Sequence, residues 1–219
     1  MEHSLDRRDL QKRRIMRYFI EATVEIIDKE GLKGVTIRKV ADIAGYNSAT
    51  LYNYFDDLNH LLFMATLTYV NEYIAALPSY IGHVKNAEEM YLSVWDCFLD
   101  YSFQQPSIYR TWFFSKLKSS VELYVQQFYS LYPLDNKKFP PEIQRMFLTA
   151  SARQRTRILI DDCISQGFIN PKYAEPIVDI TLSTLETLLI RVEEGNIQAG
   201  PGKEKCREYI HMIYSKMRR

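Results

Sequence analysis

Apolar residues recur at three- and four-residue intervals along almost the whole chain. No segment shows the period of two that a half-buried strand needs. The pattern predicts an all-α protein. The first helix is expected over residues 9–29, where Ile15, Phe19, Ala22 and Ile26 form one buried stripe. Gly31 supplies its C-cap, because it accepts a left-handed conformation without a Cβ clash. A second helix begins at Thr36, whose hydroxyl can accept a bond from a free first-turn amide. Val35 and Val40 are spaced as a hydrophobic staple, and Ile37, Val40, Ile43 and Ala44 make its apolar face. Gly45 ends it. Asn47 caps a third helix over residues 48–54. Asp56 or Asp57 caps a fourth, which runs through Leu61, Leu62, Ala65, Leu67 and Val70 to Leu77, and Pro78 stops it.

The remainder is helical by the same signs. Asn86 with Glu89 reads as an N-cap and its capping-box acid, opening a helix to Gln104. Pro106 breaks it, and a short aromatic helix follows. Another helix is expected over 119–131, then a loop in LYPLDNKKFPPE. Long helices are predicted over 142–166 and 172–194, separated by Gly167 and Pro171, and a last one over 202–216. The expected division is a small domain over 1–56 and a larger helical one over 57–219.

Composition narrows the class. The chain has 219 residues, of which 47% are hydrophobic, enough for a packed core. No apolar run is long enough to span a bilayer. Residues 1–14, MEHSLDRRDLQKRR, lack the apolar stretch of a signal peptide, so a cytoplasmic location is expected. Cys97, Cys163 and Cys206 are far apart and odd in number, which suits reduced thiols. They and the four scattered histidines fit no metal spacing, and no metal or other cofactor is expected. Net charge is only +1, but residues 7–17 carry Arg7, Arg8, Lys12, Arg13, Arg14 and Arg17 against Asp9 alone. A basic front on a neutral body suits contact with nucleic acid at one end.

Residues 36–54, TIRKVADIAGYNSATLYNY, have the layout of a helix-turn-helix. A reading helix must be short, must enter the major groove and must be held from behind by a crossing helix. Leu51 faces inward from the expected reading helix. Ser48, Ala49, Thr50 and Asn53 point outward, small enough to bring backbone near base edges and able to bond bases or phosphates. Tyr52 and Tyr54 can donate phenolic hydroxyls to phosphate. Thr36 and Asn47 lie at helix starts, and Arg38 and Lys39 add salt-sensitive attraction.

The longer string EGLKGVTIRKVADIAGYNSATLYNYF resembles the DNA-binding signature of the TetR family of transcriptional regulators. The matching features are the Gly31 turn, Thr36, Ile43-Ala44-Gly45, Asn47 at the usual Ser cap, and Thr50-Leu51-Tyr52 followed by Tyr54-Phe55. Leu61 and Leu62 continue it. Two positions depart. Leu58 stands where the family usually has a phosphate-contacting lysine, and His60, one turn on, is the expected weak substitute. Ala49 stands where a glycine is usual, which stiffens the reading helix. The resemblance implies double-stranded DNA with a pseudo-palindromic site as partner, a small-molecule effector and a homodimer.

The body can be read independently for the last two. Residues 91–132 are dense in aromatics, with Trp95, Phe98, Tyr101, Tyr109, Trp112, Phe113 and Tyr129 as candidate ligand contacts. Each alone reads as core. Together, with tyrosine and tryptophan polar atoms to satisfy, they suit a largely apolar or aromatic ligand. In the resembled family the last two long helices pair with those of a second copy, which points to Ile177, Ile180, Thr184, Leu185, Leu188, Tyr209 and Ile213. Catalysis finds no phosphate-binding glycine loop and no nucleophile–base motif. The expected function is a DNA-binding repressor released by ligand. The alternative is an all-α binding module in which the helix-turn-helix is only scaffold.

Overall fold

Helix α1 (Arg7–Glu30) forms where the apolar stripe predicted it, and Ile15, Phe19, Ala22 and Ile26 are all buried. The structure is a computed structural model that describes residues 7–114, 121–134, 139–149 and 151–218. Among these the chain forms eleven α-helices and no strand beyond one isolated bridge, Ile169 to Arg218. After α1 come α2 (Ile37–Ala44), α3 (Ser48–Leu51), α4 (Leu58–Ile81), α5 (Ala87–Ser102) and α6 (Pro106–Phe114). Then follow α7 (Val121–Leu131), α8 (Pro141–Leu148), α9 (Ala152–Ser165), α10 (Ala174–Glu193) and α11 (Ala199–Met217).

Several expected boundaries move. The predicted long helix over 142–166 is two helices. Thr149 turns extended, and Ser151 starts α9 as an N-cap, its Oγ accepting from the Gln154 amide at 3.1 Å. Pro78 does not stop α4, which runs on to Ile81. A proline near a helix end removes only one ladder donor, a loss the last turn tolerates better than a helix centre does. The expected start at Ser119 lies outside the described residues, as does the middle of the LYPLDNKKFPPE loop, and α7 is described from Val121. Helix α11 starts at Ala199 rather than Gly202. Gly202 is buried, and a Cβ there would lie 3.0 Å from Val192 Cγ2 and 3.1 Å from Phe103 Cε1. A side chain there would require Val192 and Phe103 to give by a few tenths of an ångström.

The chain divides into two compact units, and the division does not fall at residue 56. The first unit gathers residues 7–68 with α7; the second gathers residues 69–114 with those from 139 onward. In the first unit Phe19 is fully buried, with ring centroids 5.4 Å from Tyr46, 6.3 Å from Tyr54 and 6.1 Å from Phe55. These rings tie α1 to the segment after α2 and to the turn after α3.

In the second unit α10 packs on α6, α9 and α11, and α11 also packs on α5. An ion network crosses between α5 and α11. Asp96 accepts from Arg207 Nε at 2.9 Å and faces His211 Nε2 at 3.3 Å. Asp100 accepts from Lys203 Nζ at 2.9 Å, Arg207 at 3.1 Å and the Tyr80 hydroxyl at 2.7 Å. Burial pushes both carboxyls up, but it is outweighed, by His211 and Arg207 at Asp96 and by Tyr80 and Lys203 at Asp100. Both are therefore held below the ordinary carboxylate value. A depressed folded-state pKa gives stabilisation that is full above the unfolded value and lost as pH falls through the folded one. Arg207→Gln should cost about 1–2 kcal/mol at pH 7. In hydrogen exchange of α5 and α11 that penalty should shrink as pH falls below about 4, the ordinary aspartate value. A penalty unchanged at pH 3 would show that Arg207 acts by packing alone.

The three cysteines are buried and unbridged. Burial pushes the Cys163 thiol up to about 11 and those of Cys97 and Cys206 up to about 12. They stay protonated at neutral pH, with little nucleophilic character.

Candidate functional site

The helix-turn-helix is built by local bonds that its sequence dictates. Thr36 caps α2 by accepting from the Lys39 amide at 3.3 Å. Gly45 turns left-handed at φ 76° and ψ 28°, and the Tyr46 amide reaches back to the Ala41 carbonyl at 2.9 Å. A side chain at Gly45 would be strained in that conformation, so the sharp turn depends on it. Asn47 caps α3, its Oδ1 accepting from both the amide and the hydroxyl of Thr50, at 2.8 and 2.9 Å. Leu51 is fully buried and anchors α3, while Val40 and Ala41 anchor α2. Ile43, predicted on the apolar face of α2, is 46% exposed.

α3 is shorter than expected. It ends at Leu51, and residues 52–54 continue as turns, with the Asn53 amide on Thr50 O and the Tyr54 amide on Leu51 O. Ser48, Ala49, Tyr52 and Asn53 are exposed together around it, and Thr50 and Tyr54 are half-buried at its edge. Arg38 is exposed on α2. Two expected contacts read differently. Lys39 bonds Glu30 at 2.5 Å and the Gly34 carbonyl at 3.3 Å, so its charge is directed back to the end of α1. His60 is only 2% exposed and cannot take the place of the family's phosphate-binding lysine. Its ring stacks on Tyr124 at 3.6 Å, and its Nδ1 accepts from the Asp56 amide at 3.2 Å. Burial lowers its pKa despite Asp56, so the ring is neutral near pH 7.

The basic stretch is also divided. Arg13 donates to the Ser130 carbonyl at 2.8 Å, and Arg17 donates to the Leu131 carbonyl and lies over the Tyr132 ring at 5.2 Å. Both satisfy the last carbonyls of α7, where cations are favoured by the helix dipole. Arg7, Arg8, Lys12 and Arg14 are exposed to solvent.

In the second unit a cavity of about 30 Å³ lies among aromatic rings, room for about two waters. Trp95, Phe98, Trp112 and Phe113 line it, four of the seven residues expected to hold a ligand. Phe98 stands at their centre, 4.8 Å from Phe113 and 5.6 Å from Trp95 by ring centroid. Tyr109 is buried beside Phe98 at 5.6 Å but does not line the cavity, and neither does Tyr101. Tyr129 lies on α7 in the first unit, against Phe128, and is no part of this wall. The remaining lining comes from Tyr73 of α4, Val94 of α5, Met146 and Phe147 of α8, and Arg155, Thr156 and Leu159 of α9. Arg155 is 7% exposed, its guanidinium 4.4 Å from the Trp112 ring centre and its Nε on the Thr149 carbonyl at 2.7 Å. No sequence signal marked it.

The family model for bacterial regulatory proteins of the tetR family matches residues 19–63. That match spans the helix-turn-helix and parts of the helices on either side of it. A TetR-family transcription regulator from Marinobacter aquaeolei VT8 is similar over 98% of this chain and 99% of its own, at 20% identity and TM-score 0.50. A protein of unknown function from Rhodococcus sp. RHA1 is similar over 94% and 96%, at 15% identity and TM-score 0.58. A TetR transcription regulator from Haloarcula marismortui ATCC 43049 is similar over 94% and 99%, at 15% identity and TM-score 0.53. These likenesses establish the fold across nearly the full chain. No curated protein matches it in sequence.

The second unit places the expected pairing residues unevenly. Ile177, Leu185, Leu188 and Ile213 are buried within the single chain. A helix stripe of this width serves first to seat α10 and α11 in their own unit. Ile180 is 42% exposed, Thr184 and Tyr209 are half-buried, and Met212, which was not singled out, is 49% exposed. Among the described residues no helix is long and apolar enough to cross a membrane, and no cluster could hold a metal ion.

Proposed function

We propose that this protein is a TetR-family transcriptional regulator, a cytoplasmic, homodimeric repressor that a small, largely apolar or aromatic ligand releases from its operator. The observation that carries the reading is the pairing of an exposed polar reading surface with an aromatic cavity. Ser48, Ala49, Thr50 and Asn53 are the proposed base-edge contacts. Thr36, Arg38, Asn47, Tyr52 and Tyr54 position the phosphates. Arg7, Arg8, Lys12 and Arg14 supply the sequence-independent attraction that Leu58 forgoes. Two copies related by a two-fold axis address two half-sites, which favours a pseudo-palindrome, with Ile180, Thr184, Tyr209 and Met212 as the exposed part of the pairing face. α4 is the proposed lever, since it supplies Tyr73 to the cavity and begins beside the reading turn. A ligand moves such a lever only by binding one conformation better than the other.

The test is fluorescence anisotropy with the duplex upstream of the protein's own gene. Sequence-selective, salt-dependent binding that falls tenfold or more at saturating ligand is expected. Binding to that duplex no tighter than to a scrambled one would sink the regulator reading. Selective binding that ligand leaves unchanged would sink release alone.

A further inference from the structure

We infer that the ligand of the aromatic cavity is an apolar carbonyl compound, its neutral oxygen accepting from the Trp112 indole N–H. The inference rests on the ligand-cavity reading above and adds the ligand's polar group. The cavity walls are overwhelmingly apolar, which fixes the body of the occupant. One polar atom in the wall fixes its head. Trp112 lines the cavity and is 7% exposed, and its Nε1 is buried without a hydrogen bond in the protein. An indole nitrogen donates and cannot accept. A buried orphan donor is costly and marks a place where a partner is missing. Trp95 Nε1, in the same wall, also makes no hydrogen bond, though it lies near the Tyr91 hydroxyl, so it weighs less.

The acceptors in the wall are few. The Thr156 hydroxyl donates to the Ala152 carbonyl at 3.0 Å, and none of the described lining residues carries a carboxylate. The Arg155 guanidinium is engaged within the protein, with its Nε on the Thr149 carbonyl at 2.7 Å. Its face lies 4.4 Å from the Trp112 ring centre, a stacking that holds the indole plane in place. What the wall lacks is therefore an acceptor for one neutral donor. An anionic head would lose its water to an apolar wall and gain only that donor in return. A hydrocarbon would leave the indole unmet. An amide or alcohol would bring donors of its own to a wall poor in acceptors. A ketone or ester oxygen meets the N–H and brings none. Such a ligand exceeds the cavity of about 30 Å³, so a side chain must yield, and Met146, unbranched and adaptable, is the wall best suited to move.

The chain's two tryptophans, Trp95 and Trp112, both line this cavity. The full-length protein, isotope-labelled at its indole nitrogens, therefore gives two indole N–H resonances in NMR, and both report on the cavity. Trp112→Phe removes one and so assigns both; Trp95→Phe does the same if that variant fails to fold. The probes are acetophenone and cyclohexyl methyl ketone. Each is titrated against the hydrocarbon in which a methylene replaces the oxygen, isopropenylbenzene or isopropenylcyclohexane. Each pair shares a shape and differs in the acceptor. The ketones should move the Trp112 N–H resonance downfield as the hydrogen bond forms, and the hydrocarbons should not. Trp112→Phe should weaken the ketones about fivefold, the worth of one hydrogen bond, and the hydrocarbons less than about twofold. Hydrocarbons moving that resonance as far as ketones overturn the carbonyl assignment and leave the apolar cavity standing. Ketones that move only the Trp95 resonance overturn the role of Trp112. Neither class moving either resonance at millimolar concentration overturns the cavity reading itself.

Discussion

Tyr52→Ala combined with Asn53→Ala is expected to weaken operator binding by about a hundredfold, from roughly 1–3 kcal/mol per lost contact. Both side chains are exposed on the turn that follows α3, outside the packed core, so the fold should survive their loss. The two losses differ in kind. Asn53 is placed to read a base edge, so its removal should also relax which sequence is preferred. Tyr52 is placed on phosphate, so its removal should weaken all sequences alike. Arg8→Ala and Arg14→Ala should behave like Tyr52, each lowering the slope of log affinity against log salt by about one. Lys39→Ala should do little, because its charge already faces Glu30 at 2.5 Å. Anisotropy with the operator and a scrambled duplex at three salt concentrations separates these outcomes. An Asn53→Ala protein with unaltered sequence preference would remove Asn53 from the base-reading set.

How much of this could be read from the chain depended on the range of the interaction. The caps were legible because they are local. Thr36, Asn47 and Asn86 each bond an amide three residues on, and a Gly at 45 after an apolar face has few other uses. The stripe of α1 was legible because its period is set by helix geometry. Contacts between distant residues were not. His60 looked like a surface cation until Tyr124, 64 positions later by sequence number, covered its ring. Arg155 drew no reading from the sequence, and only the fold places Trp112 against it. Ile177 and Leu185 lie on an apolar face, but periodicity says only that a face will be buried, not by what. In this chain the unit's own helices bury them. The break marked by extended Thr149 and the Ser151 cap was missed because neither residue interrupts the apolar period strongly enough to show.

Phe19→Ala should be the most damaging single change in the reading unit, costing about 3–5 kcal/mol. The ring is fully buried, and it meets the rings of Tyr46, Tyr54 and Phe55 at once. Removing it costs the burial of the ring and leaves a cavity bordered by three aromatic groups that cannot all close on the space. Tyr46 follows the Gly45 turn, and Tyr54 and Phe55 follow α3, so the loss also loosens what holds the reading surface at its angle. DNA binding should therefore collapse although no exposed residue has changed. Because the chain has two compact units, a single melting midpoint is the wrong measure. Hydrogen exchange resolves the matter, with protection expected to fall across residues 7–68 and α7 and to persist in α9–α11. Phe19→Leu, which keeps much of the volume, should cost less and retain selective binding in proportion to the folded fraction. If Phe19→Ala left protection in α1 and α2 within about 1 kcal/mol of wild type, the ring cluster would not be what organises the reading head. Its rigidity would then have to come from the aliphatic contacts of Val40 and Leu51 instead.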